Sequence, residues 1–287
     1  MATRTWEGDV DSVLGTAGNW SDNTLPTDGD TAIIAENATG TTALTGTIPD
    51  AGTLAACRIG PNFTRDIGTT STAANITATA IDFSGKGSVN HIDSEAANST
   101  VLVAGGARSD NMLILGAQSD IATLTVLGGS GTITVKSSAT LDNITIANAP
   151  EVTLTISTSV SSVDAITMDS GQVNLGSTAA GAVLVLGGQL TLTDAAALSD
   201  ATDGLKVDQG GIVIAKSSGT IALLTVYGGT FDGRQNANAV TIITNATIHE
   251  GGRVLLQSGL DNWTLTNGMV FHGGDFRPPR GKTLTIA

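Results

Sequence analysis

From about residue 121 the chain alternates apolar and polar positions in short runs. Each run breaks at a glycine-containing bend and then resumes. Leu124-Thr125-Val126 leads through Gly128-Gly129 to Ile133-Thr134-Val135. Ile166-Thr167-Met168 leads through Ser170-Gly171 to Val173-Asn174-Leu175, and Val183–Leu186 through Gly187-Gly188 to Leu190-Thr191-Leu192. The pattern recurs around Gly210-Gly211, Gly228-Gly229, Gly251-Gly252 and Asn267-Gly268. A period of two places aliphatic side chains on one face of a strand and Thr or Asn on the other. The bends fall at 171, 188, 211, 229 and 252, with shorter and longer steps in alternation. A loose repeat of about 20 residues predicts a solenoid, because one coil has a single apolar face that only a stacked neighbour can bury. A propeller blade would repeat at roughly 40–50 residues, and a sandwich would show antiparallel hairpins without this step.

Earlier in the chain the pattern is looser. Ile76-Thr77-Ala78, Ile81-Asp82-Phe83, Val101-Leu102-Val103 and Leu113-Ile114-Leu115 read as strands of the first coils. Residues 1–50 differ: they hold Trp6 and Trp20 and are rich in acidic side chains. The prediction is an all-β chain, a right-handed parallel β-solenoid (β-helix) over residues 51–287, with a Trp-containing N-terminal cap or arm over residues 1–50. A cap answers a physical need, since the open edge of a β-stack invites aggregation. Docking to a partner is the other use such a segment can have.

Composition sharpens this picture. Hydrophobic residues make up 40% of the 287, but aromatics only 3%, and there are 36 glycines. Charged residues are 14%, against about 25% in average globular domains. The net charge of −13 opposes nucleic-acid binding, which needs Lys and Arg at phosphates, and opposes an anionic membrane surface. No apolar run approaches the roughly 20 residues that span a bilayer. The opening MATRTWEGDV lacks the basic-then-apolar order of a secretory signal, which predicts a protein made in a cytoplasm. Cys57 is the single cysteine, so no intrachain disulfide forms.

Motifs of catalysis and cofactor binding are missing: there is no GxxxxGK[ST], HExxH or GxSxG. The expectation is a non-enzyme without cofactor or metal. Weaker candidates remain to be placed. His249 and His272 are separated by one coil length, so they stack either as a metal-binding pair or as plain surface neighbours. Asp164 with Asp169, Asp203 with Asp208, and Glu250 with Asp275 are carboxylate pairs of the sort that cleave polysaccharides, or solvated corners. Asp9 with Asp11, or Asp28 with Asp30, offer hard oxygens to Ca²⁺, or form turns. Near the C-terminus, Phe276-Arg277-Pro278-Pro279-Arg280-Gly281-Lys282 gathers positive charge in an acidic chain. Its prolines exclude it from a central strand, so it serves as a grip on an acidic partner or as a terminal loop.

The string Trp6…Gly8…Asn19-Trp20…Pro26…Gly29-Asp30…Ile33-Ile34 resembles the opening segment of β-helical structural proteins of tailed phages and of bacterial surface proteins. Val226–Phe231 and Leu186–Leu192 are similar to the repeats of the same group. The likeness is greatest to capsid decoration (cement) proteins. It implies a homotrimer, formed by a chain synthesised in the host cytoplasm, on the capsid exterior of a virion, bridging subunits of the major capsid protein. Trp6, Trp20, Arg277, Arg280 and Lys282 are the expected partner-binding residues. A tail fibre or spike component that binds host polysaccharide is the alternative.

Overall fold

The computed structural model describes residues 1–35, 42–49, 51–104, 112–116, 121–136, 141–193, 196–236, 240–256, 262–280 and 284–286. The protein is an all-β solenoid of parallel strands. From Thr31–Ile34 to Asn262–Leu265 successive strands alternate between two sheets, each of parallel strands. Among the described residues the only helices are two three-residue 3-10 turns, Ala17–Asn19 and Ser21–Asn23. The chain divides into two compact units: Met1–Leu141 with Glu151–Thr153, and Asp142–Pro150 with Leu154–Ala287.

In the second unit the first sheet stacks Val163–Met168, Val183–Val185, Leu205–Val207, Thr220–Val226, Val240–Ile248 and Asn262–Leu265 in that order. The second sheet stacks Gln172–Leu175, Gln189–Leu192, Ile212–Ala215, Thr230–Asp232, Arg253–Leu255 and Asp275–Arg277. Gln172 aligns with Gln189, then Ile212, Thr230 and Arg253. Each of these residues directly follows a bend glycine: Gly171, Gly188, Gly211, Gly229 and Gly252 in turn. The coils therefore advance in step with the bends. The reason is visible at Gly188. Its φ is +72°, and a Cβ there would lie 2.5 Å from Gly171 O of the preceding coil. The corner needs a residue with no side chain, once per coil, and that requirement prints the coil length into the sequence.

Inward positions form continuous columns. Val173, Leu190, Val213 and Phe231 succeed one another in register and are all fully buried. Met168, Val185, Val207, Val226 and Ile248 do the same in the first sheet. Between Val163 and Ile221, which belong to strands of the first sheet, isolated parallel bridges run through Ala179 and Leu198. Stacking like on like removes each aliphatic from water on both sides, worth roughly 1.5–3 kcal/mol per side chain.

The first unit follows the same plan but opens with longer coils. Thr3–Thr5 pairs with Thr31–Ile34, and that strand with Ala56–Ile59. Thr3, Thr31 and Ala56 share a register position, and both steps between them exceed any between the bends of the second unit. Parallel pairing thus already involves residues 3–5 and 31–34, inside the stretch read from sequence as a cap or arm. Trp6 and Trp20 lie beside these strands with rings edge to face, centroids 5.4 Å apart.

Candidate functional site

The late coils place the basic segment and the paired histidines close in register. Asp275–Arg277 adds to Arg253–Leu255, and Met269–Phe271 adds to Val240–Ile248. Arg253 and Asp275 are therefore register partners, and the Asp275 carboxylate sits between two guanidinium groups. Arg277 Nε donates to it at 2.9 Å, and Arg253 Nε lies 3.7 Å away. The Arg277 hydrogen bond is the main reason the Asp275 carboxyl is held below its ordinary value. Pro278 and Pro279 then stiffen the backbone, and Arg280 follows, exposed. Phe276–Arg280 line an open cleft of about 390 Å³. Lys282 lies outside the described residues.

The same coils carry the core columns to a surface. Ile248 is fully buried, and its register partner Phe271 is 50% exposed. Leu265 is 2% exposed, and its partner Ile286 is 64% exposed. The inward face of this last described coil has no strand stacked on it among the described residues.

Beside it runs a ladder of rings. Tyr227 stacks on His249 at 4.5 Å and 16°, and His249 on His272 at 5.1 Å and 23°. The spacing is that of neighbouring parallel strands, about 4.7–4.9 Å. The expected histidine stack is present. Among the described residues no group of three or more His, Cys, Asp or Glu side chains gathers around it or elsewhere to hold a metal. Tyr227 is the member that histidine spacing alone does not find, although Val226 and Ile248 are register partners and so bring Tyr227 beside His249.

The two tryptophans are interior. Trp6 is 3% and Trp20 0% exposed, so their rings offer a partner almost no surface. Trp20 Nε1 donates to Leu14 O at 2.7 Å. Between them Asn19, fully buried, holds the segment before it: its Oδ1 accepts from the Val10 and Asp11 N–H groups, and its Nδ2 donates to Asp11 Oδ1.

The acidic candidates act locally. Asp11 accepts from Val13 N–H, Thr16 Oγ1 and Asn19, and the Val13 N–H is the main cause of its lowered pKa. Asp28 accepts from Thr53 N–H, tying one coil to the next. Asp30 accepts from the N–H of Ala2 and from both the N–H and the hydroxyl of Thr27. Of the carboxylate pairs, Asp203 holds Lys206 at 2.8 Å, Asp169 accepts from Asn148 N–H and Ser170 Oγ, and Asp275 is engaged by arginine. A lowered Asp275 is the reverse of what a general acid needs.

Two further groups are buried without any signal of it in the sequence. Arg65 is 6% exposed; its Nε and Nη2 donate to Thr42 O and its Nη2 to Ser12 Oγ. It joins three segments far apart in sequence, and burial lowers its proton affinity. Neither its neighbours nor any periodicity marks it. Cys57 is wholly buried, and burial pushes its thiol up to about 12, so it is chemically inert in the folded chain.

No protein-family model, curated protein or solved structure matches this chain. No helix among the described residues is long and apolar enough to cross a membrane.

Proposed function

We propose that this chain is a non-enzymatic structural protein that decorates the exterior of a phage capsid as a homotrimer and stabilises it by bridging major capsid subunits. The observation that carries the reading is the parallel solenoid itself, built from columns of aliphatic side chains. In such a stack each strand is hydrogen-bonded to the coils before and after it, so shear is shared across many backbone bonds. Arg277 and Arg280 then provide local positive charge on a chain of net charge −13, which suits an acidic face on a capsid lattice. Three copies held together would turn weak individual contacts into lasting attachment. The N-terminal string around Trp6 and Trp20 supports the same assignment by resemblance.

One observation favours a second reading. The ladder of Tyr227, His249 and His272 is a row of stacked rings at a surface whose edges carry ring nitrogens and a hydroxyl, groups that hydrogen-bond to sugars. A tail fibre or spike component binding host polysaccharide would use it. Quantitative mass spectrometry of purified virions separates the two. Decoration requires a copy number comparable to that of the major capsid protein; a few dozen copies or fewer would mark a tail part. Absence from the virion overturns both.

A further inference from the structure

Asn267-Gly268 is the one Asn-Gly pair in the chain, and it sits at a break in the ladder. Strands Asn262–Leu265 and Met269–Phe271 both pair with Val240–Ile248. Leu265 aligns with Ile243, and Met269 with Ala246, so the three residues Thr266 to Gly268 face only two, Thr244 and Asn245. This is a β-bulge, in which an extra residue has no place in the ladder. The N–H groups of Thr266 and Asn267 reach Ile243 O and Thr244 O, but that of Gly268 has no acceptor among the described residues. Gly268 has φ +79°, and an added Cβ there would meet nothing nearer than Ile286 Cγ2 at 3.8 Å.

The side chain before it is an exposed amide. Asn267 Nδ2 donates to Asn245 Oδ1 at 2.9 Å, and Asn245 Nδ2 in turn reaches Ala222 O at 3.4 Å. Asparagine is chemically labile: its amide is lost when the next backbone nitrogen attacks Cγ. Within a regular strand that nitrogen is hydrogen-bonded to a neighbouring strand, and its own side chain crowds the approach. Asn174, followed by Leu175, and Asn143, followed by Ile144, are of that kind. Asn98 has a left-handed φ of +58°, but Ser99 after it is fully buried. At Gly268 both restraints are missing.

We propose that Asn267 is a site of spontaneous deamidation, with the bulge supplying the Gly268 nitrogen as nucleophile. That nitrogen gives up its proton to solvent base and bonds to Asn267 Cγ. The Cγ–Nδ2 bond breaks, and Nδ2 departs as ammonia, leaving a cyclic imide. Water then opens the ring. Cleavage between nitrogen and Cγ yields aspartate; cleavage between nitrogen and the main-chain carbonyl carbon yields isoaspartate, with Cγ now in the backbone. Either product adds a negative charge to a chain of net charge −13. Aspartate cannot donate to Asn245 Oδ1, so Asn245 must turn its amide and give up Ala222 O. Isoaspartate lengthens the link between two strands whose partners, Ile243 and Ala246, lie on one continuous strand. Met269–Phe271, the shorter of the two, is the one to loosen. The inference is independent of the virion reading.

The test follows amide-to-acid conversion at each asparagine by peptide mapping and mass spectrometry. The full chain is held warm at mildly acidic and mildly alkaline pH, folded and in urea. In the folded chain Asn267 is expected to convert about tenfold or more faster than any other asparagine. Alkaline buffer should speed it, since the attacking nitrogen must lose a proton. Two acid products of equal mass should separate by chromatography, as ring opening requires. Urea should speed Asn143 and Asn174 about tenfold or more, because unfolding frees nitrogens held in the ladder, and Asn267 only about two- to threefold. Asn267→Gln keeps an amide but closes the larger ring poorly, and should stay intact. Gly268→Ala, checked for folding by circular dichroism, should convert about tenfold more slowly than wild type. Asn267 left intact while other asparagines convert overturns the proposal. So does a single acid product, protection by folding equal to that of Asn174, or a Gly268→Ala chain as fast as wild type.

Discussion

Trp20 and Trp263 are the same side chain in two kinds of solenoid. Both are fully buried, and both meet another ring edge to face: Trp6 at 5.4 Å and Phe231 at 6.1 Å. Around Trp20, in the first unit, the indole N–H is bonded to Leu14 O, and Asn19, Asp11, Asp30 and Arg65 fasten long coils through side-chain hydrogen bonds. Around Trp263, in the second unit, the indole N–H has no partner among the described residues. There the ring rests against Gly233, where a Cβ would come within 2.3 Å of its Cζ2. Isolated bridges link Leu44, Ile67 and Asn90 in the first unit and Ala179, Leu198 and Ile221 in the second, so the first set reaches a buried polar side chain while the second stays apolar. Both regions have apolar cores and side-chain bonds between coils, Asn236 to Ser217 O among them in the second; what differs is the fully buried indole, bonded to the backbone in the first and held by shape in the second.

The largest test of this contrast is at the rings themselves. Trp20→Ala and Trp263→Ala should each cost about 3–5 kcal/mol, the usual range for an aromatic removed from a core. Phenylalanine separates the two. Trp20→Phe strands a buried carbonyl, which adds roughly 1–3 kcal/mol to the loss of volume. Trp263→Phe removes a donor that had no acceptor, so only the volume term remains. In urea unfolding, Trp20→Phe is expected to have the lower midpoint. Equal midpoints would mean that the Leu14 bond contributes nothing and that the two regions are held alike.

This contrast also explains what can be read from sequence. The second unit's coils are legible because the physics that sets them is local and repeated. A Gly must stand at each tight corner, and Val, Leu or Ile must alternate with Thr on each side of it. Gly171, Gly188, Gly211, Gly229 and Gly252 therefore mark the true register. The first unit's coils are harder to read because long-range bonds define them. Arg65 reaches Ser12 and Thr42, and no spacing in the chain announces such a meeting. The same limit applies to the site. The histidine stack follows from a coil-length separation, and Tyr227 belongs to the same column. Trp6 and Trp20, read singly, fit either a cap or a partner-binding segment. Their burial depends on the fold of the Glu7–Trp20 loop, which the alternation of apolar positions does not encode.

A second test probes the corners on which the regular region depends. Gly188 combines a left-handed φ with backbone contact to the preceding coil. Gly210 has φ +84°, but the nearest atom to an added Cβ is 3.9 Å away. Gly210→Ala should thus cost only the left-handed strain, about 1–2 kcal/mol. Gly188→Ala should cost more, because the Gly171 carbonyl 2.5 Å away must also move. Thermal melts of the two variants give the difference directly. If Gly188→Ala is no worse than Gly210→Ala, the corner yields easily, and close stacking is not what fixes the coil length.

The smallest expected effect belongs to the polar fastening of the first unit and is read through pH. Asp30 accepts from Ala2 N–H and from Thr27, and the Ala2 bond is the main reason its pKa lies below the ordinary 3.8. A carboxyl whose folded pKa is depressed contributes stability that is fully present above the unfolded value. That contribution disappears as pH falls through the lower, folded value. Asp30→Asn keeps the shape but loses the charge. It should lower the melting temperature at pH 7 by about 2–4 °C, equivalent to about 1 kcal/mol in a chain of this size. The gap between wild type and variant should hold from pH 7 to about pH 5 and narrow as the pH drops below 3.8. Asp11, Asp200, Asp232 and Asp275 are depressed as well, so both proteins weaken in acid; only the difference between them isolates Asp30. A gap that stays constant down to pH 2.5 would show that the ionised carboxylate is not what anchors the first strand. The irregular region would then owe its order to packing, as the regular one does.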